Sequence, residues 1–448
     1  MDDAASLDSV QETSGRLDSW KEIAAYLRRQ VRTVNLWEKT EGLPVHRHLH
    51  SKRGTVYAYK SELDEWRRRR ALSTANLPRA GAQRLRNVIS VLPFDNVSLE
   101  ARHERSGDLK RRSRGTTETQ RDAYEDYLRA RKYWNHRTEE SLLKAVHYFI
   151  QALIKDPELA VAYCGLGDAY NLLAVYEVLP PQEAMPLARA AAMRALELNR
   201  DLGEAHACLG DVSAFYDWDW DAAAHEYQRA LSLNASYATA HHFYAYFLAV
   251  TGDHPRALAE IKLAHAYDAR STIISVWKGI LLRLAGNYDE AIEVGIENTK
   301  ADPEYVLARW ALGLAYEAAG EMDLALRELQ TAAALSGRSP CMLGALAYHQ
   351  GVRKQRGRAA AILHQLHALS QRRYVAAYDL ALVYLGIGDE ELAVQYLQKA
   401  FRERSPWIVT IAVEPRMQSL ATNLDFQSLV RQLRLPGASA AVCSPLAG

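Results

Sequence analysis

Basic side chains crowd the front of this 448-residue chain. Residues 17–70 hold 13 Lys/Arg against 7 Asp/Glu, a net +6, and residues 71–121 add a net +5. Residues 1–16 carry −3 and everything after 121 carries −7, for +1 in all. Arg28, Arg29, Arg32, Thr33 and Asn35 fall within eight residues, and Arg47, Lys52 and Arg53 follow closely. Guanidinium and ammonium groups interleaved with small hydrogen-bonding side chains suit phosphate oxygens. A basic head on an acidic body points to an anionic partner, nucleic acid first.

Other chemistry is thin. His46, His48 and His50 alternate, so a strand would place them on one face, as metal ligands need. No fourth ligand or acidic or Cys cluster stands near, and a polar, phosphate-facing strand accounts for them better. There is no P-loop, no GxGxxG after a strand, no HExxH and no GxSxG. Glu139-Glu140 and Asp389-Glu390-Glu391 fall where helices should begin and complement the helix dipole. Trp218 and Trp220 read as packing for a turn. The four cysteines (Cys164, Cys208, Cys341, Cys443) form no CxxC and no disulfide framework. The expectation is a protein that is not an enzyme, with no metal, cofactor or small-molecule substrate. No run approaches 18 apolar residues, and the acidic, polar N-terminus is unlike a signal peptide, so a cytoplasmic protein without a membrane span is expected.

The basic residues need a frame. Asp18 or Ser19 can cap a helix carrying Trp20, Ile23, Ala24 and Leu27, an i, i+3, i+4, i+7 set. After Arg28-Arg29-Gln30, a second helix puts Val31, Val34 and Trp37 inward and Arg32, Thr33 and Asn35 outward, ending at Gly42-Leu43-Pro44. The alternating run from Val45 to Tyr59, broken at Lys52-Arg53-Gly54, reads as a β-hairpin with a basic tip. A last helix from Ser61 to about Arg70 carries Leu63 and Trp66 inward. Helix, tight turn, helix and hairpin is the winged form of helix-turn-helix. The stretch SWKEIAAYL…VRTVNLWEKTEGLPVHRHLH…GTVYAYKSELDEW resembles excisionase/MerR-like heads. That resemblance implies that Val31–Thr40 enters a major groove while Arg47, Lys52 and Arg53 of the wing hold phosphates. Leu36 stands where such heads usually carry Arg.

Residues 71–121 read as a basic linker with one apolar island, residues 87–94. VLPF there resembles the opening strand of an α/β domain found between such a head and repeats in other bacterial regulators. Helical sequence resumes by Thr119, which leaves no room for the rest of that domain, so the linker is expected to be poorly ordered.

The remainder is periodic. Ala223, Ala257, Ala291, Ala325, Ala359 and Ala393 stand 34 residues apart, and Ala245, Gly279, Gly313, Ala347 and Ala381 precede the last five by twelve. Two small residues per period mark where paired helices touch. Gly252, Gly286, Gly320 and Gly388 share the phase at which a first helix must end; Lys354 holds it in the seventh period. The pattern resembles the tetratricopeptide (TPR) repeat. The implied fold is all-α: a right-handed TPR solenoid of about eight repeats over 122–407, behind a winged head at 17–70. Residues 408–436 should cap the open end, and 1–16 and 437–448 should be disordered.

A solenoid of this kind presents its first helices to a concave groove. The groove phases place His242, Tyr246, Trp310, Tyr348 and Tyr378 there, an aromatic lining suited to an apolar peptide. The expected function is a bacterial-type regulator that binds DNA through its head and a protein or peptide through its repeats. The alternative is a TPR scaffold whose head no longer binds DNA.

Overall fold

A computed structural model of the protein describes residues 16–27, 31, 32, 34, 38, 43–47, 56–64, 66 and 118–436. Most of the expected linker, the hairpin tip and both tails lie outside these residues. The chain divides into two units, Met1–Arg102 and His103–Gly448.

In the first unit, Ser19 starts helix α1 (Trp20–Leu27). Its Oγ accepts from the Glu22 N–H at 3.2 Å, and Glu22 Oε2 accepts from the Asp18 N–H at 2.9 Å. That reciprocal capping satisfies donors a helix start would otherwise leave bare. Residues 31, 32, 34 and 38 are helical, as are 60–64 and 66. Strands β1 (Arg16–Leu17), β2 (His46–Arg47) and β3 (Val56–Tyr59) make an antiparallel sheet in the order β1-β3-β2. His46 pairs with Tyr57 and Arg47 with Val56; Leu17 pairs with Ala58 on the other edge. The outer strand β1 was not expected, because two residues carry no alternation signal. Ile23, Ala24, Leu27, Val34, Val56, Ala58 and Leu63 form one buried core, with Val31 and Trp66 packed against it.

The second unit is a run of antiparallel helix pairs. They are α2 (Glu118–Trp134) with α3 (Glu139–Lys155), α4 (Ala160–Val175) with α5 (Pro181–Leu198), α6 (Gly203–Val212) with α7 (Trp220–Leu233), and α8 (Ala238–Val250) with α9 (His254–Tyr267). There follow α10 (Thr272–Leu284) with α11 (Tyr288–Ala301), α12 (Val306–Ala318) with α13 (Met322–Leu335), α14 (Pro340–Val352) with α15 (Arg356–Ser370), and α16 (Ala377–Ile387) with α17 (Glu390–Arg402). This is an all-α TPR-type solenoid of eight pairs.

The small residues sit where the pattern places them. All six ladder alanines are at most 2% exposed. At Gly313 a Cβ would come within 2.8 Å of the Leu329 side chain on the paired helix, so no larger residue lets α12 and α13 approach this closely. Gly252, Gly286, Gly320 and Gly388 take left-handed φ of +83° to +89° and end their helices. The residue after each returns its N–H to the carbonyl five positions back, as from Asp253 to Leu248 at 2.8 Å. Lys354 makes the same turn with φ 61°, and the Gln355 N–H reaches the Gln350 carbonyl at 2.9 Å.

The second and third pairs are irregular. α5 carries Pro181 in its first turn and Pro186 inside. α6 runs into a π-helical turn, Ser213–Asp217, that ends with Trp218 left-handed at φ 61° and Asp219 capping α7. Beyond α17 the period stops. Two short 3₁₀ turns, Pro406–Thr410 and Pro415–Leu420, lead to α18 (Leu424–Leu433).

Candidate functional site

The first helices of the repeats converge on one interior, and its occupant is the chain itself. Tyr246 of α8, Ile280 and Arg283 of α10, Trp310 and Leu314 of α12, Ala345 of α14 and Tyr378 of α16 surround Trp407, Thr410, Glu414 and Arg416. The space left among them is about 20 Å³, room for a water or two and no more. Of the expected groove anchors, His242, Tyr246, Trp310 and Tyr378 are buried, and Tyr348 is half-buried.

Trp407 is the central plug. Its ring lies parallel to Trp277 with centroids 6.4 Å apart, and 5.9 Å edge-on from Trp310. Tyr246 stands 6.4 Å from it. Its indole N–H donates to the Val175 carbonyl at 2.9 Å, at the end of α4. Tyr378 Oη and Thr410 Oγ1 are 3.2 Å apart.

Charge locks the segment further in. Arg283 donates twice to Glu414, Nη1 to Oε1 at 2.9 Å and Nη2 to Oε2 at 2.7 Å, and Arg416 Nε adds a 3.0 Å bond. Both side chains of the Arg283–Glu414 pair are only 4% exposed. Burial alone would raise the Glu414 carboxyl; the Arg283 and Arg416 guanidinium groups outweigh it and hold the group well below the usual carboxylate range.

The last repeat and the residues after it are also tied to the first three pairs. Arg373 Nη2 bonds Glu139 Oε2 at 3.0 Å, and Gln182 Nε2 bonds the Arg402 carbonyl at 3.1 Å. Arg404 donates to the Tyr216 carbonyl at 3.1 Å and lies 3.9 Å above the Trp218 ring. Trp220 Nε1 bonds the Leu433 carbonyl at 3.0 Å. The aromatic turn of the third pair is thus a docking surface for the C-terminal segment. Of residues 408–436, expected to cover the open end of the stack, Thr410, Glu414 and Arg416 enter the interior, while α18 packs against α17.

In the head, Arg32 lies exposed on the second helical stretch and Arg47 exposed on β2. Arg47 Nη2 is paired with Glu38 of that stretch. Arg28, Arg29, Thr33, Asn35, Lys52 and Arg53 lie outside the described residues, as does Leu36. His46 stacks on Tyr57 at 5.1 Å, and its Nε2 meets Glu62 at 2.7 Å; His48 and His50 are outside the described residues.

Sequence reasoning missed Trp407, Arg283, Glu414 and Arg416. Their signal was available in weak form: the last 34-residue period closes on an aromatic, Trp407, and a Glu-Pro-Arg run follows where a polar end would suffice.

No protein-family model matches the chain. Among curated proteins it is similar to the transcriptional regulator HilA of Salmonella typhimurium, 25% identical over 171 residues, and to that of Salmonella paratyphi A, 24% identical over the same length. Each match covers 38% of this chain, which spans 31% of those relatives' length. Solved structures similar to it include pilF of Pseudomonas aeruginosa (19% identity, 48% of this chain and 94% of that one, TM-score 0.37). YrrB, described as a TPR protein, shares 22% identity over 42% of this chain and 91% of its own, TM-score 0.28. Among the described residues no helix is long and apolar enough to cross a membrane.

Proposed function

We propose that the chain is a non-enzymatic regulator that binds DNA through its first unit and receives a protein partner on its repeats. The observation that carries the reading is the head's element order. Capped α1, a second helical stretch, the β2–β3 ladder and a closing helical stretch share one core, and Arg32 and Arg47 project from it. That is the order of a winged helix-turn-helix, in which the second helix enters the major groove and the wing meets the backbone. Arg28, Arg29, Arg32, Thr33, Asn35, Arg47, Lys52 and Arg53 are the proposed contacts. The similarity to HilA, a transcriptional regulator, lends support. The buried free thiols of Cys164 and Cys208 fit a reducing compartment such as the cytoplasm.

The repeats supply the receiving surface. His242, Tyr246, Trp310, Tyr348 and Tyr378 are proposed as its anchors, and a partner segment reaches them by displacing Trp407. Fluorescence anisotropy of the full chain on random-sequence duplex tests the DNA arm. Binding at low salt that weakens steeply as salt rises is expected. Absence of binding at low salt sinks the DNA arm and leaves a repeat scaffold.

A further inference from the structure

Two buried carboxyl groups and a partly buried thiol lie together, with only the Arg373 and Arg416 charges acting on the carboxyls from outside the cluster. Glu177 follows α4 in the second pair; Cys341 and Asp379 stand in the first turns of α14 and α16, in the seventh and eighth pairs. One ligand atom from each lies within 4.8 Å of the others. Close packing brings the two helices together here: a Cβ on Gly344 would come within 3.0 Å of the Asp379 side chain.

The hydrogen bonding is the second, independent observation. Among the described residues no N–H or hydroxyl donor reaches either oxygen of Glu177 or Oδ2 of Asp379, the two carboxyls lie within reach of each other, and each residue is 2% exposed. A buried carboxylate costs several kcal/mol unless it is paired, protonated or bound to a metal. Glu177 also holds φ at 59°, a conformation that costs a non-glycine residue energy.

We propose that Glu177, Cys341 and Asp379 form a binding site for a zinc-like divalent cation that joins the second helix pair to the seventh and eighth. One thiolate with two carboxylates suits Zn²⁺ better than Mg²⁺ or Ca²⁺, which take oxygen alone. Ligand atoms within 4.8 Å need to close by little more than 1 Å to share an ion at about 2.0–2.3 Å. The adjoining cavity, lined in part by Cys341 and Asp379, has about 20 Å³, enough for one water as a fourth ligand. Binding releases protons, from the Cys341 thiol and from whichever carboxyl carries one. Burial and the mutual repulsion of the two carboxylates raise Glu177 well above its ordinary range, and burial raises Asp379; both therefore hold protons readily when no cation is bound. A cation here staples parts of the chain far apart in sequence, where a cross-link restricts the unfolded state most.

The test uses the full chain with Cys443→Ser, purified without a polyhistidine tag and stripped with chelator. Zn²⁺ is added, the protein is desalted, and bound metal is counted. One Zn²⁺ per chain is expected, with affinity falling more than ~10-fold in Cys341→Ser and in Asp379→Asn. Should those variants fail to fold, Co²⁺ added to the parent chain decides. A thiolate-to-cobalt absorption band at one equivalent supports the site. Zn²⁺ content no higher than in Cys341→Ser, or the lack of that band, overturns it, and the two carboxyls are then a pair sharing a proton.

Discussion

Trp407 donates its indole N–H to the carbonyl of Val175 at 2.9 Å, across more than half the chain. One side chain thereby fills the interior of the repeats and fastens the second pair to the segment after the eighth. Its ring neighbours, Trp277, Trp310 and Tyr246, belong to three other first helices. Trp407→Ala removes the plug and leaves the Val175 carbonyl unpaired. The expected loss is ~3 kcal/mol, the low end for truncating a packed tryptophan, because Trp407 is only half-buried. Denaturant melts measure it. Binding of a hydrophobic dye at native conditions should rise as the aromatic lining becomes accessible.

Glu414 has a different role, since its energy lies in charge. Glu414→Ala leaves Arg283 buried opposite nothing, and such one-sided breaks cost ~3–5 kcal/mol. The double variant Arg283→Met, Glu414→Leu should cost clearly less, because it leaves no orphan guanidinium from that pair. The pH dependence has a defined sign. The folded carboxyl is depressed, so its contribution is full above the unfolded value of about 4.3 and fades as pH falls below it. Melting temperatures between pH 6 and pH 3 should converge for the parent and Glu414→Gln. Parallel curves would contradict the pair's contribution.

Lys354 is a lysine where four sister repeats carry glycine, and its φ is 61°. A left-handed non-glycine residue costs ~1–2 kcal/mol, and glycine gives part of that back through the entropy of the unfolded chain. Lys354→Gly should raise stability by ~0.5–1 kcal/mol in denaturant melts. Lys354→Val should lower it, since a β-branched side chain tolerates that conformation least.

The repeats were legible because their constraint is local and repeated. Ala223 to Ala393 mark helix contacts, and Gly252 to Gly388 mark turns, each from a handful of neighbouring residues. The head's core was legible for the same reason: Ile23, Leu27 and Val34 follow helical spacing. Filling of the groove was not. Trp407 meets Val175, and Glu414 meets Arg283, through contacts that no periodicity records, because both arise only once the stack has curved back on itself. The phases that place Tyr246 and Trp310 on the concave face are blind to whether a second chain or the same one arrives there. Glu177, Cys341 and Asp379 were hidden likewise, being adjacent in space and remote in sequence.

His242 gives a second pH signature, opposite in origin to that of Glu414. Burial, helped by the Arg137 charge, pushes its imidazole down to about 3, and its Nε2 has no hydrogen-bond partner among the described residues. The folded ring stays neutral while the unfolded one takes a proton below about pH 6.5. Stability therefore falls as pH drops from 6.5 towards 3, by ~1.4 kcal/mol per pH unit for that one proton. His242→Phe keeps the ring among Phe243 and Trp277 and removes the proton. The difference in unfolding free energy between variant and parent should grow in the variant's favour on acidification. A constant difference would mean that His242 takes up its proton as readily in the fold as in the unfolded chain.

Glu38 is the partner that restrains Arg47 of β2 in the first unit. In that pairing the guanidinium is partly neutralised before any phosphate arrives. Glu38→Gln removes the competing charge while keeping the side chain's length, so Arg47 becomes free to meet DNA. Affinity for random duplex at low salt should rise several-fold, and the slope of log affinity against log salt should steepen by about one. Arg47→Ala should move both in the reverse direction, by a similar amount. The comparison needs only anisotropy titrations at four or five salt concentrations on the full chain. The pair is exposed on the Arg47 side and contributes little to stability, so melting curves of all three proteins should nearly coincide. Binding isotherms that also coincide would rule out Arg47 as one of the proposed DNA contacts.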